Sequence, residues 1–135
     1  MVNGSFGGTS LVDSEPIRNI IALRMPITAQ LALMTVGLSV VVAIPTGVIA
    51  AVKQDKWPDY LIRIVLVAGL SIPSFWAGLL ILLFLLLTFR WVPPIVFQDL
   101  WENPIDNLMV MVWPTIVMAW NFAAYIARVT RSSIL

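Results

Sequence analysis

The chain has 135 residues, enough for one domain, and 60% of them are hydrophobic against 11% charged; a soluble domain carries about 45–50% apolar and about 25% charged residues. Its seven acids and eight bases nearly cancel, so the charge marks no nucleic-acid partner. With no Cys and no His, disulfides, thiolate zinc sites and the ordinary imidazole base are excluded, and neither a metal nor a cofactor is expected.

Residues 1–15 are rich in Gly and Ser and read as irregular. Residues 1–26 hold no basic start followed by a compact apolar run, so no secretory signal is expected there. Residues 16–23 form a short amphipathic stretch, and Pro26 is expected to open the first long helix, where a missing N–H costs little. The uncharged run from Ile27 to Val52 is the first expected span. At ~1.5 Å per residue it reaches about 39 Å, beyond the ~30 Å hydrocarbon core, so it must tilt or end in the interface. Pro45 is expected to loosen its last third.

Lys53 to Asp59 is a polar connection. Residues 61–89 form the second apolar stretch, interrupted at Ser71-Ile72-Pro73-Ser74, and Pro73 is expected to break it. Residues 90–107 form the longest internal loop. It carries Pro93, Pro94, Asp99, Glu102 and Asp106, with Trp91 and Trp101 suited to the headgroup zone. The third span is expected at residues 108–127, closing in Arg128 and Arg131. The fold class is therefore all-α: a polytopic membrane protein with three transmembrane segments, the second broken at Pro73. Residues 1–26 form an N-terminal segment ahead of a membrane domain over 27–135.

Lys53, Lys56, Arg63, Arg128 and Arg131 fall on one side of this arrangement, and Arg18, Arg24 and Arg90 on the other. The positive-inside rule puts the 53–60 loop and the C-terminal end in the cytoplasm. Lys53, Lys56, Arg128 and Arg131 are then cytoplasmic anchors, and the N-terminal segment is extracytoplasmic.

Ser39, Ala43, Gly47 and Ala51 recur every four residues on the first span, and Ala119, Ala123 and Ala127 do so on the third. Such stripes let helices approach closely. They are read chiefly as packing surfaces, with a translocation lining as the sharper alternative. Asn121 is the strongly polar side chain deep in the third span, and must find a partner there, in a neighbouring helix or a permeating solute. Ser71, Pro73 and Ser74 mark either a plain kink or a gating hinge. The interiors of the spans hold no ionisable group, which argues against an intramembrane enzyme and against a proton-coupled pump.

Several stretches, taken in order, carry a resemblance. They are Phe6-Gly7-Gly8-Thr9-Ser10, Pro16-Ile17, the run from Arg24 to Leu33 (RMPITAQLAL), that from Pro45 to Ala51 (PTGVIAA), that from Gly69 to Leu80 (GLSIPSFWAGLL), and that from Ala127 to Leu135 (ARVTRSSIL). The chain resembles the inner-membrane permease subunits of binding-protein-dependent ABC importers of the dipeptide/oligopeptide type. The resemblance implies a second homologous permease subunit, two cytoplasmic ATPase subunits and an extracytoplasmic solute-binding protein as partners, besides membrane lipid. ATP would be hydrolysed on the partners, so the chain itself would be no enzyme. Peptides, nickel chelates and glutathione-like molecules are the solute classes it implies. Members of that family carry a span before the equivalent of Phe6. After the equivalent of Leu135 they continue into a Glu-Ala-Ala-like loop that docks on the ATPase. The chain is therefore expected to be a piece of a longer permease. The competing expectation is a self-contained membrane scaffold, or the product of a decayed permease gene.

Overall fold

A computed structural model describes residues 16–92 and 100–135. The irregular reading of residues 1–15, and Pro93, Pro94 and Asp99 of the long loop, lie outside the described residues. The described chain is all-α, with helices α1 (Ile17–Val52), α2 (Trp57–Ser71), α3 (Ser74–Phe89) and α4 (Pro104–Ile134). It divides into two units, Met1–Leu33 and Met34–Leu135.

In the first unit α1 begins at Ile17 rather than at Pro26. Pro16 supplies the start, because its carbonyl accepts from the Asn19 and Ile20 amides at 2.9 and 3.5 Å. The helix then runs through Pro26. Proline removes one backbone donor there, and nearby the Arg24 carbonyl takes a second bond, from Thr28 Oγ1 at 3.0 Å. The boundary expected at residue 26 thus falls inside a helix.

In the second unit α1 continues unbroken to Val52, through Pro45, where a loosened last third was expected. A short turn follows, in which Asp55 takes the left-handed conformation at φ 58°. That reverses the chain into α2, whose first turn carries Pro58 without penalty. The break falls where proline dictates it. Ile72, forced out of the α region by Pro73, is extended at φ −92°, ψ 119°. Helices α2 and α3 meet at 97°. The Pro73 carbonyl accepts from the Trp76 and Ala77 amides, both at 3.0 Å, and starts α3. Arg90 ends it, left-handed at φ 52°. Asn103 caps α4 by accepting from the Asp106 amide at 3.4 Å, and its own amide donates to the Asp106 carboxylate at 2.6 Å. Trp91 stacks obliquely on Trp113 at 6.2 Å, tying the loop's start to α4.

The packing is inverted relative to a soluble protein. The buried apolar residues are chiefly alanines, whereas Leu79 and Leu87 stand 61% and 72% exposed. Hydrocarbon solvates leucine as well as a protein interior does, so helices in lipid gain by close backbone approach at small residues instead. Two helices, α1 and α4, are long and apolar enough to cross a membrane, and the bent α2–α3 pair makes a third if it counts as one span. Helix α4, the third expected span, is longer than residues 108–127, because Asn103 caps it early and the Arg-Ser-Ser stretch stays helical.

Candidate functional site

Three features of the second unit converge on α4. The first is a seam against α1. Ser39, Ala43, Gly47 and Ala51 are all buried, and so are Ala119, Ala123 and Ala127 on α4. Ala43, Ala123 and Ala127 form one cluster, flanked by Leu66 and Ile126. Ser39 Oγ sits 2.5 Å from its own helix's Thr35 carbonyl and 3.4 Å from the Ala119 carbonyl across the seam. At Gly47 the approach is tightest: an added Cβ would lie 2.8 Å from both the Ala127 carbonyl oxygen and Thr130 Cβ. The face also takes in Thr35, Ala50 and Ala124, which the stripes named above leave out. Thr35 lies one more step of four before Ser39, so extending the repeat backwards would have found it. Its buried hydroxyl has no hydrogen-bond partner among the described residues.

The second feature is the α2–α3 break. Ser71 Oγ donates to the Val67 carbonyl at 2.8 Å, an ordinary bond to the preceding turn. Ser71, Pro73 and Ser74 are exposed. Asn121 is half-buried, and its amide donates back to the Val117 carbonyl at 3.3 Å. A cavity of about 230 Å³ has Gly69, Ile72, Ala77, Trp120 and Asn121 in its wall, so Asn121 faces the inside of the break, between α2 and α3. Ser74 lines a separate apolar cleft of about 460 Å³ with Phe75, Trp113 and Pro114. Gly69 is where the Trp120 indole rests on α2, against the position a Cβ would take.

The third feature escaped the sequence. Asp59 is completely buried, and among the described residues it is the one charged side chain that is. Arg63 Nε and Arg131 Nε donate to its Oδ1 at 3.1 and 3.0 Å. Arg63 Nη2, Arg131 Nη2 and the Asp55 amide donate to its Oδ2, the last two at 3.0 and 3.1 Å. Both carboxylate oxygens are thus gripped by two guanidinium forks, the geometry in which arginine binds a carboxylate most strongly. Asp59 belongs to the polar connection ahead of the apolar stretch that starts at residue 61. The hydrogen bonds from Arg63, and then from Arg131, hold its carboxyl well below the usual carboxylate range, against the opposing pull of burial. Arg63 also reaches the exposed Asp55 at 3.5 Å and lies over the Tyr60 ring. Arg131 is therefore tied into an ion cluster, whereas Lys53, Lys56 and Arg128 are exposed. A spacing of three on one helix does not give Arg128 and Arg131 the same surroundings. Among the described residues no group of acids could hold a metal ion.

Comparison with known proteins places this architecture. Residues 43–135 match the family described as the inner membrane component of binding-protein-dependent transport systems. The chain is 33% identical over 128 residues to a protein of Brucella suis biovar 1 named for a peptide transport system permease, covering 95% of this chain and 41% of that protein. It is 32% identical over 137 residues to the oligopeptide transport system permease protein AppB of Bacillus subtilis, covering 100% of this chain and 43% of AppB. It is 38% identical over 86 residues to the putrescine export system permease protein SapB of Escherichia coli K12, covering 64% and 27% respectively. The chain spans less than half the length of these relatives. No solved structure matches it. With well over half of its residues matched, and apolar helices of membrane length in place, the chain belongs to the family of binding-protein-dependent transport system inner membrane components.

Proposed function

We propose that the chain is part of the permease subunit of an ABC importer that moves peptides or similar small solutes across the cytoplasmic membrane. The observation that carries this is the likeness to a peptide transport permease over 95% of the chain. AppB, matched over the chain's whole length, is named for oligopeptides. A homologous permease completes the pathway, an extracytoplasmic binding protein delivers solute, and ATP is hydrolysed on cytoplasmic partner subunits. The 53–60 loop and the C-terminal end of α4 face the cytoplasm, since five of the eight bases gather there.

In this reading the α1–α4 seam is the static part of the domain. Ser39, Ala43, Gly47, Ala51, Ala119, Ala123 and Ala127 hold two spans together, and the break at Ser71, Pro73 and Ser74, beside Asn121, is where the pathway bends. Deleting the gene for the full-length subunit should abolish uptake of a labelled oligopeptide, and restoring it should bring uptake back. Unchanged uptake in the deletion strain refutes the substrate class. Orientation is checked with Lys53→Cys and Ser133→Cys, single thiols in a segment that has none. An impermeant thiol reagent should label both in inverted vesicles and neither in intact cells.

A further inference from the structure

We propose that Asp59 is a positioning residue that fastens the α1–α2 turn to the C-terminal end of α4, so that the two travel as one body through the transport cycle. The inference rests on the transport reading above. Its geometric basis does not.

A buried carboxylate is costly unless its partners surround it. Asp59 meets that condition through one partner from its own helix, Arg63 four residues on, and one from 72 residues away, Arg131. The first of these is local and would hold in an isolated helix. The second joins two elements. Arg131 directly follows Thr130 and lies four residues beyond Ala127, the two residues that close on Gly47. The end of α1, the start of α2 and the last turns of α4 therefore meet at one place, with the carboxylate at its centre.

The charge pattern makes the joint discrete. Asp55, Asp59, Arg63 and Arg131 sum to zero. Arg63 and Arg131 both bond to the same two oxygens, so the guanidiniums lie close together with Asp59 between them. Neutralise Asp59, and the attraction from two sides becomes repulsion between two cations at short range. The Asp55 carboxylate cannot take its place, because it is exposed and reaches only Arg63. The joint is thus closed while Asp59 carries its charge and open when it does not. The side chains of Lys53, Lys56 and Arg128 are exposed.

The test uses the full-length subunit assembled with its permease and ATPase partners in lipid nanodiscs, with spin labels at Lys53→Cys and Ser132→Cys. The distance between the labels is read without nucleotide and with ATP trapped. With Asp59 present, one narrow distance common to both states is expected. Asp59→Asn should broaden it, and should lower solute moved per ATP hydrolysed by about tenfold in proteoliposomes. Arg131→Lys should keep part of the coupling, and Arg131→Gln should lose it. A label distance that shifts on trapping ATP overturns the proposal, as does an Asp59→Asn subunit with narrow distances and full coupling. Should Asp59→Asn fail to assemble, a flexible thiol bridge between the same two cysteines decides on the unmodified clamp: uptake persists if the two ends move together, and stops if they must part. The label distances need no solute, so a wild-type assembly that moves no peptide counts against the transport reading while the distances still decide the clamp.

Discussion

Gly47 and Gly37 lie on the same helix, and a single added methyl separates them. At Gly37 a Cβ would meet nothing within 4 Å. At Gly47 it would meet the Ala127 carbonyl oxygen and Thr130 Cβ, both at 2.8 Å, and Thr130 Cγ2 at 3.0 Å. Ordinary contact begins near ~3.5 Å, so α1 and α4 must part by several tenths of an ångström. The backbone carbonyl cannot swing aside. Overpacking of this kind costs about 1–3 kcal/mol. Against it stands the gain of about 1 kcal/mol when alanine replaces glycine inside a helix. Gly47→Ala should therefore come out neutral to about 2 kcal/mol less stable, and Gly37→Ala about 1 kcal/mol more stable. The difference between the two variants removes the helix term and leaves packing alone, about 1–3 kcal/mol, or a factor of roughly 5 to 150 in the equilibrium. Denaturant unfolding of the detergent-solubilised subunit measures it. If Gly47→Ala is as stable as Gly37→Ala, the close approach is not what holds the seam. Gly47→Leu goes further and should stop uptake by the full-length subunit.

Elsewhere on the seam, Thr35→Val should be neutral or stabilising by about 1 kcal/mol, because it removes an unpartnered buried hydroxyl at nearly constant shape. Ser39→Ala should cost only about 0.6 kcal/mol, the mean for a polar contact between membrane helices; the same unfolding assay reads both, and a large loss in either would show a hydroxyl with a stronger partner. Gly69→Ala should displace the Trp120 indole, seen as a shift in the fluorescence that Trp120→Phe removes, and no shift would mean that α2 yields instead. The folded-state pKa of Asp59 is depressed, so the stabilisation it contributes is in place above the ordinary carboxylate range and is lost only as pH falls through the depressed value. Acidification from neutrality to about pH 5 should accordingly leave the Lys53–Ser132 label distance narrow, and broadening there would contradict the clamp's protonation state.

What was legible in the sequence was whatever local rules govern. Proline restricts the residue before it, so the break could be set at Ile72–Pro73 from composition alone. The four-residue spacing from Ser39 to Ala51 puts those residues on one face wherever a helix forms. Pro26 misled for the opposite reason. One lost donor is a small cost in a long apolar helix, and Pro16 offered an equally good start. The Asp59–Arg131 joint was invisible, because nothing periodic connects residues 72 apart. An aspartate in a Lys-Gln-Asp-Lys-Trp-Pro-Asp connection reads as solvated. The one local hint was Arg63 four residues on, the spacing of a helical ion pair.

The right-angled joint between α2 and α3 sets a condition on its surroundings. Helices of 15 and 16 residues are each only about 22–24 Å long, short of the ~30 Å of hydrocarbon. Their shared corner therefore lies at depth in the bilayer or near it, where the last carbonyls of one helix and the first amides of the next come together as opposite partial charges. Pro73 satisfies two of those amides through its own carbonyl. Its neighbours from Ser71 to Trp76 stand exposed. Irregular backbone at that depth persists only where water or protein touches it. Acyl chains are thus the one neighbour this corner cannot have, and the side of the domain that carries it must turn away from bulk lipid.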